Sequence, residues 1–313
     1  MKEMNALFHS KFTSSILLAF LLLWFVPRPG TAQDCYSVAD FANWQDTSTW
    51  ASTSGGTGGT CDPDNDGTAD FPGSGDHAQL ESGIIVESTT TVGSLTQTGN
   101  GTKNFLALSG ANLTVQGDFT IESGGQTSTF GSSFGGISGS GVLEIGGTLT
   151  VETNGKLNVR RDGSSPGELR LKGNFVYNGD FNTFTPGQPG TVAFDGGGSQ
   201  EVSGTASFTG GSAIEILKVE GTGTAVTFGP DLEITEASSS VESGAELIVN
   251  GSLDASPSTT GGSIGGAGTI TLNGAVAALT LNGTTQTIGG SGEIKDLTVT
   301  SGSGVTIASG SSL

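Results

Sequence analysis

Leu113-Thr114-Val115-Gln116-Gly117-Asp118-Phe119 is a phrase to which the chain keeps returning. It reads apolar, polar, apolar, any residue, glycine, polar, apolar. It recurs as Leu143-Glu144-Ile145-Gly146-Gly147-Thr148-Leu149 and as Leu169-Arg170-Leu171-Lys172-Gly173-Asn174-Phe175. Further copies run from Leu247 to Leu253 and from Ile270 to Val276, and weaker ones begin at Val192, Leu217 and Leu297. The starts lie 23 to 30 residues apart, a period that belongs to solenoids and propellers. Alternation of period two puts one face in and one face out, as in a strand. The Thr, Val, Ile and Phe that fill these runs suit a pleated surface. The glycine offers either a positive φ or a close backbone approach, so the chain can turn a corner.

Outward from this phrase, Asn-Gly pairs at Asn100, Asn154, Asn178, Asn250, Asn273 and Asn282 signal turns. No helical stripe follows the first thirty residues. A propeller blade needs four strands in about 40–45 residues, and its signatures are absent. A sandwich has no reason to repeat one seven-residue phrase. A parallel solenoid has one, because each coil stacks like residues on its neighbours. Crossover chirality then favours the right hand. The fold expected is all-β, a right-handed parallel β-solenoid with a small disulfide-bonded N-terminal cap. Leu113, Val115, Leu143, Ile145, Leu169, Leu171, Leu247 and Val249 face inward on this reading. The stretches 124–141 and 183–190 loop out of corners.

Composition agrees. The 313 residues include 54 glycines, only 13% are charged, and the net charge is −19. Thirty acidic against 11 basic residues exclude a nucleic-acid partner, which needs clustered Lys and Arg. Stacked coils set like residues about 4.8 Å apart, where repeated charges repel; Ser, Thr and Asn stack without that penalty. The Gly-Gly-x-Gly-x-Asp calcium repeat is missing, so the column is expected to be held by apolar stacking.

The first segment reads as an address. Lys2 and Lys11 precede an uncharged apolar run from Ile16 to Val26; Pro27 breaks it, and Gly30-Thr31-Ala32 supplies small residues at a cleavage site. That is the layout of a secretory signal peptide, assigned to residues 1–32. A membrane span needs about 20 apolar residues, so the cleaved chain is expected to be secreted or at the cell surface without spanning the membrane. Cleavage leaves eight basic and 29 acidic residues. Cys35 and Cys61 are the only cysteines, and an oxidising destination favours a disulfide between them over two free thiols.

Residues 33–76 form a separate cap region, and 77–313 the repeats. The cap holds Asn43-Trp44 and Thr49-Trp50, followed by Phe71-Pro72-Gly73-Ser74-Gly75-Asp76. This order resembles surface β-solenoid proteins exported by the type IX secretion system, and the eight-glycine extracellular domain family. The stretch Gly190 to Gly204, with Phe194-Asp195-Gly196 and Gln200, is similar to their repeats. The resemblance implies export and surface display. Such proteins carry a C-terminal sorting domain; none is visible before Leu313, and a truncated chain is expected.

The loop Asp62-Pro63-Asp64-Asn65-Asp66-Gly67 has the first half of a calcium-loop pattern, with acids at positions 1, 3 and 5 and glycine at 6. Position 12 is Gly73 instead of Glu, so Asp70, or Asp76, would supply the missing carboxylate. Asp62, Asp64, Asp66 and Asp70 are the candidate Ca2+ ligands; the competing reading is a solvated turn. Trp44 and Trp50 read as a plug for the end of the column, with a sugar-stacking platform as the other reading. His77 reads as a coil-edge residue.

Enzyme chemistry finds little here. Of the motifs of polysaccharide-cleaving β-helices only Arg170-Leu171-Lys172 matches, and a triad would have to use His77 with no nucleophile elbow. The function expected is a non-enzymatic structural or adhesive surface solenoid, monomeric, with extracellular polysaccharide as its candidate partner. The alternatives are a carbohydrate-binding module or a fragment of a polysaccharide-degrading β-helix enzyme.

Overall fold

A computed structural model describes residues 34–39, 42–56, 58–63, 69–98, 105–108, 110–128, 141–159, 167–182, 190–236, 238–255, 263–300 and 304–312. The expected signal peptide, Asp64, Asp66 and Asn100 lie outside them. The described residues are all-β apart from three short 3-10 turns.

Three parallel sheets take the strands in rotation. Leu113–Val115 lies in one sheet, Phe119–Ile121 in a second and Gln126–Ser128 in a third; Val142–Ile145 then returns beside Leu113–Val115. Call these sheets II, I and III. Among the described residues sheet I has 13 strands, with Trp50–Ala51 at its edge and the others running from Asp34–Ser37 at the cap to Val305–Ile307. All its pairings are parallel except that of Trp50–Ala51, which closes the cap end antiparallel to Asp34–Ser37.

The expected core is the core. Leu113, Val115, Leu143, Ile145, Leu169, Leu171, Leu247 and Val249 are each at most 1% exposed. They stack in register, Leu143 between Leu113 and Leu169, and Leu171 between Ile145 and Phe194. Burial of one such side chain is worth about 1.5–3 kcal/mol, and every coil supplies several.

One expectation changes. Among the described residues sheet III ends at Asp180–Asn182. Beyond it a new third side is built from Phe208, Ile214, Leu232–Glu233, Leu253–Ala255 and the start of Val276–Leu281, a strand that continues into sheet II. The repeated phrase moves with it. In the copies at Leu113, Leu143 and Leu169 it turns from sheet II into sheet I; in those at Leu247 and Ile270 it turns from sheet I onto the new side. Leu247 accordingly stacks on Val226 and Ile270, not under Leu217. The phrase specifies strand, corner and strand, and any corner of a three-sided coil meets the same demands.

Its glycine serves close approach. Gly147 N–H donates to the Gly117 carbonyl at 2.9 Å, and a Cβ built on Gly173 would lie 2.1 Å from the Gly147 oxygen. Neither Gly147 nor Gly173 has a positive φ. A different corner uses the left-handed region: Gly124, Asn154 and Gly244 have φ of 87°, 65° and 80°. Each is followed by a residue whose N–H closes a tight turn on Glu122, Glu152 or Glu242.

Candidate functional site

The cap is tied as expected. Cys35 and Cys61 are bonded, with Cα atoms 5.7 Å apart. Cys35 sits on the first strand of sheet I in register with Ala78, so the bridge fastens the cap to the column. Trp44 is fully buried and Trp50 is 1% exposed. Their rings meet edge to face at 4.8 Å. Trp50 Nε1 donates to the Trp44 carbonyl at 2.8 Å, and Trp44 Nε1 to the Pro72 carbonyl at 3.3 Å. With rings and N–H groups both used internally, these residues plug the column and offer no face for a sugar.

Of the four candidate calcium ligands, Asp62 and Asp70 are described and Asp64 and Asp66 lie outside. Asp70 N–H donates to the Cys61 carbonyl at 2.8 Å, which sets the two ends of the loop side by side next to the disulfide. Asp70 and Asp76 both line an open recess of about 350 Å³, with Pro63, Phe71, Gly73, Ser74 and Gly75. One oxygen of Asp76 already accepts from Gly73 N–H at 2.9 Å. Among the described residues no three His, Cys, Asp or Glu side chains converge for a metal.

His77 lies on the outer face of sheet I. Its Nδ1 is 2.7 Å from Ser94 Oγ and its Nε2 3.4 Å from Thr96 Oγ1. The register sets Asp34, His77 and Ser94 on three successive strands, the residue types of a triad. The imidazole, however, spans two hydroxyls of one strand. Asp34 instead acts on the Tyr36 phenol, whose pKa is raised by burial, then by Asp34 and Glu81.

Two features escape a reading by residue type. The first is a charge cluster on the outer face of sheet II. Arg170 bonds Glu168, Asp195 at 2.8 Å and Glu220 at 3.4 Å; Lys172 bonds Glu144 at 2.9 Å. Burial alone would lower the Arg170 pKa, but the Asp195 hydrogen bond and Glu168 outweigh it and hold the guanidinium above its ordinary value. Glu168 shares the strand of Arg170, but Glu144 comes from the coil before and Asp195 and Glu220 from the coils after, so only the stacking register reveals the whole cluster. It sets two cations against four carboxylates with each cation paired, and opposite signs replace the like-charge stacking that a coil repeat would otherwise impose.

The second is a pair of buried glutamines. Gln200 Nε2 donates to the carbonyls of Leu171 and Gly173, while its Oε1 accepts from Gly196 N–H. Gln286 does the same with Ile264, Gly265 and Gly283. Each amide bridges its own corner to the preceding coil. The signal was present in Asp195-Gly196 and Asn282-Gly283, each followed within four residues by an inward Gln.

Comparison with protein-family models, curated proteins and solved structures finds no match for this chain. The reading of function therefore rests on the cap, the column and its outer faces.

Proposed function

We propose that this chain is a non-enzymatic structural or adhesive spacer, exported by a signal peptide over residues 1–32 and displayed at the cell surface as a right-handed solenoid. The observation that carries this reading is the unbroken parallel stack of sheet I from the cap to Val305–Ile307. Twelve stacked strands at about 4.8 Å make a rod of roughly 50 Å. Such a column resists extension along its length, because its coils part only by breaking several ladder bonds together. The outer faces offer Thr, Ser and paired charges, and the two large indoles are spent on the plug. That favours a spacer over a carbohydrate-binding module, whose platform would need exposed rings.

The test is single-molecule pulling of the chain lacking residues 1–32, held by tags at both ends, beside a glycan array. High-force rupture and an unreactive array support the spacer. Low-force, uncooperative extension contradicts it, and selective capture of one polysaccharide class supports the binding module.

Calcium belongs to the same proposal. The disulfide and the Asp70–Cys61 bond hold the ends of the acidic loop together, which lowers the ordering cost of binding. A site lacking the usual Glu is weak, about 10⁻⁴–10⁻³ M. Titration calorimetry should show that binding and lose it in Asp62→Asn; equal heats from both proteins, or none at several times that concentration, would leave the loop a plain turn.

A further inference from the structure

Five of the six Asn-Gly pairs lie within the described residues, and their surroundings divide them. In four, the asparagine side chain is engaged across a coil. Asn178 Oδ1 accepts from Thr205 N–H at 2.9 Å and from its hydroxyl at 3.1 Å. Asn273 Nδ2 donates to Asn250 Oδ1 at 2.9 Å, which engages both residues. Asn282 Nδ2 donates to Ser263 Oγ at 2.9 Å. Asn154 differs. It stands exposed at the tip of the turn, holds the left-handed φ of 65°, and makes no side-chain hydrogen bond to a described residue.

We propose that Asn154 is the site of spontaneous deamidation and isoaspartate formation in the folded protein. The chemistry needs only the following glycine and water. Gly155 nitrogen, its proton taken up by solvent base, attacks Asn154 Cγ. The new C–N bond forms, the Cγ–Nδ2 bond breaks, and ammonia leaves once protonated. Water then opens the cyclic imide at one carbonyl or the other, giving Asp or isoaspartate. In all five pairs the glycine lacks a side chain that would hinder attack. At Asn154 the turn bond from Gly155 N–H to the Glu152 carbonyl, 2.8 Å, must open. At the other four the side chain itself is held across a coil and must first be freed from that neighbouring coil, and at Asn282 the Gly283 N–H, held by Gln286 Oε1, must open as well; each ordinary hydrogen bond slows such a release by about two- to tenfold.

The product acts on the fold. Isoaspartate lengthens the backbone by one atom at a corner where the next coil is close: a Cβ on Gly179 would lie 2.3 Å from the Gly155 oxygen. It also adds a carboxylate beside Glu152 at a corner that stacks on Glu122. Ageing is thus expected to loosen sheet III, starting at Lys156–Asn158, while sheets I and II remain paired.

The test is peptide mapping by mass spectrometry after prolonged incubation at mildly alkaline pH, native and in urea. In the native chain Asn154 should convert at least twofold faster than Asn178, Asn250, Asn273 and Asn282; in urea the five should converge. Native conversion at Asn154 no faster than at the other four overturns the proposal. So does a preference for Asn154 that persists unchanged in urea, since local sequence and not the fold would then set it.

Discussion

Gly173→Ala asks whether coils touch where the structure says they do. The added Cβ would stand 2.1 Å from the Gly147 oxygen and 2.5 Å from its carbonyl carbon, about an ångström inside contact distance, and both atoms are backbone. Relief requires the corner to move away from the coil above. Overpacking of this kind costs about 1–3 kcal/mol. The flanking ladder bonds, Lys172 N–H to Ile145 and Leu149 N–H to Asn174 at 2.9 Å, then lengthen at about 1 kcal/mol each. The total of roughly 3–5 kcal/mol should lower Tm by about 6–15 °C in a chain of this size. Gly198→Ala is the control, because nothing lies within 4 Å of its Cβ and its φ is not left-handed. There the stiffer unfolded chain should leave Tm unchanged or raise it slightly, by about 0.4–1 kcal/mol at most. Melting curves by circular dichroism read both. If the two variants melt together, the corner glycine is not in contact with its neighbouring coil, and the packing described here is wrong.

Three further outcomes are expected. Leu171→Asp sets a carboxylate between Ile145 and Phe194 with no partner, at a cost of about 5 kcal/mol or more; an unchanged urea midpoint would remove Leu171 from the core. Cys35→Ser with Cys61→Ser opens a loop of 26 residues, worth about 3–4 kcal/mol in the chain-entropy model, and should expose Trp44 and Trp50 to fluorescence quenchers; quenching equal to the parent's would contradict the tied cap. Asp46 caps the turn Thr47–Thr49, and its pKa is lowered by the Ser48 hydroxyl and then by the Ser48 N–H. Its contribution is present above the ordinary carboxylate pKa and is lost as pH falls through the lowered one, so any stability gap between parent and Asp46→Asn should close in acid; a gap that widens in acid would reverse the assignment.

The strands and their inward faces were legible because alternation is local: Leu143-Glu144-Ile145 declares its buried side without reference to any other coil. The cap was legible for the same kind of reason, since two cysteines and two tryptophans have few uses in one short segment. What was not legible depends on which coil lies above which. The change of the third side turns on Phe208 and Ile214, single bridging residues too short to show a period. The coil that starts at Thr269–Leu272 closes in 18 residues, Thr269 facing Thr287, and the strand that closes it, Gln286–Gly290, carries no copy of the phrase. Arg170 and Lys172 read as ordinary members of a repeat until the register brought Glu144, Asp195 and Glu220 alongside. His77 and Ser94 were likewise separate residues until adjacent strands joined them. The acidic loop was legible as composition, and only its ends, Asp62 and Asp70, are placed.

Spin-label distances along sheet I test the stacked column most directly. The native cysteines are bonded to each other, so cysteines introduced for labelling react alone. Thr96, Thr120, Thr150, Val176 and Ser203 form one outward column, each in register with the next. The strand of Ser203 then leads by register through Thr227 and Ile248 to Thr271. With one label at Thr96, parallel stacking at about 4.8 Å per coil predicts separations of about 14 Å to Val176, 19 Å to Ser203 and 34 Å to Thr271. Distances that rise in this order, in step with the number of coils, are the result the account predicts. A Thr271 label as near to Thr96 as the Val176 label, as in a folded-back sandwich, would contradict it.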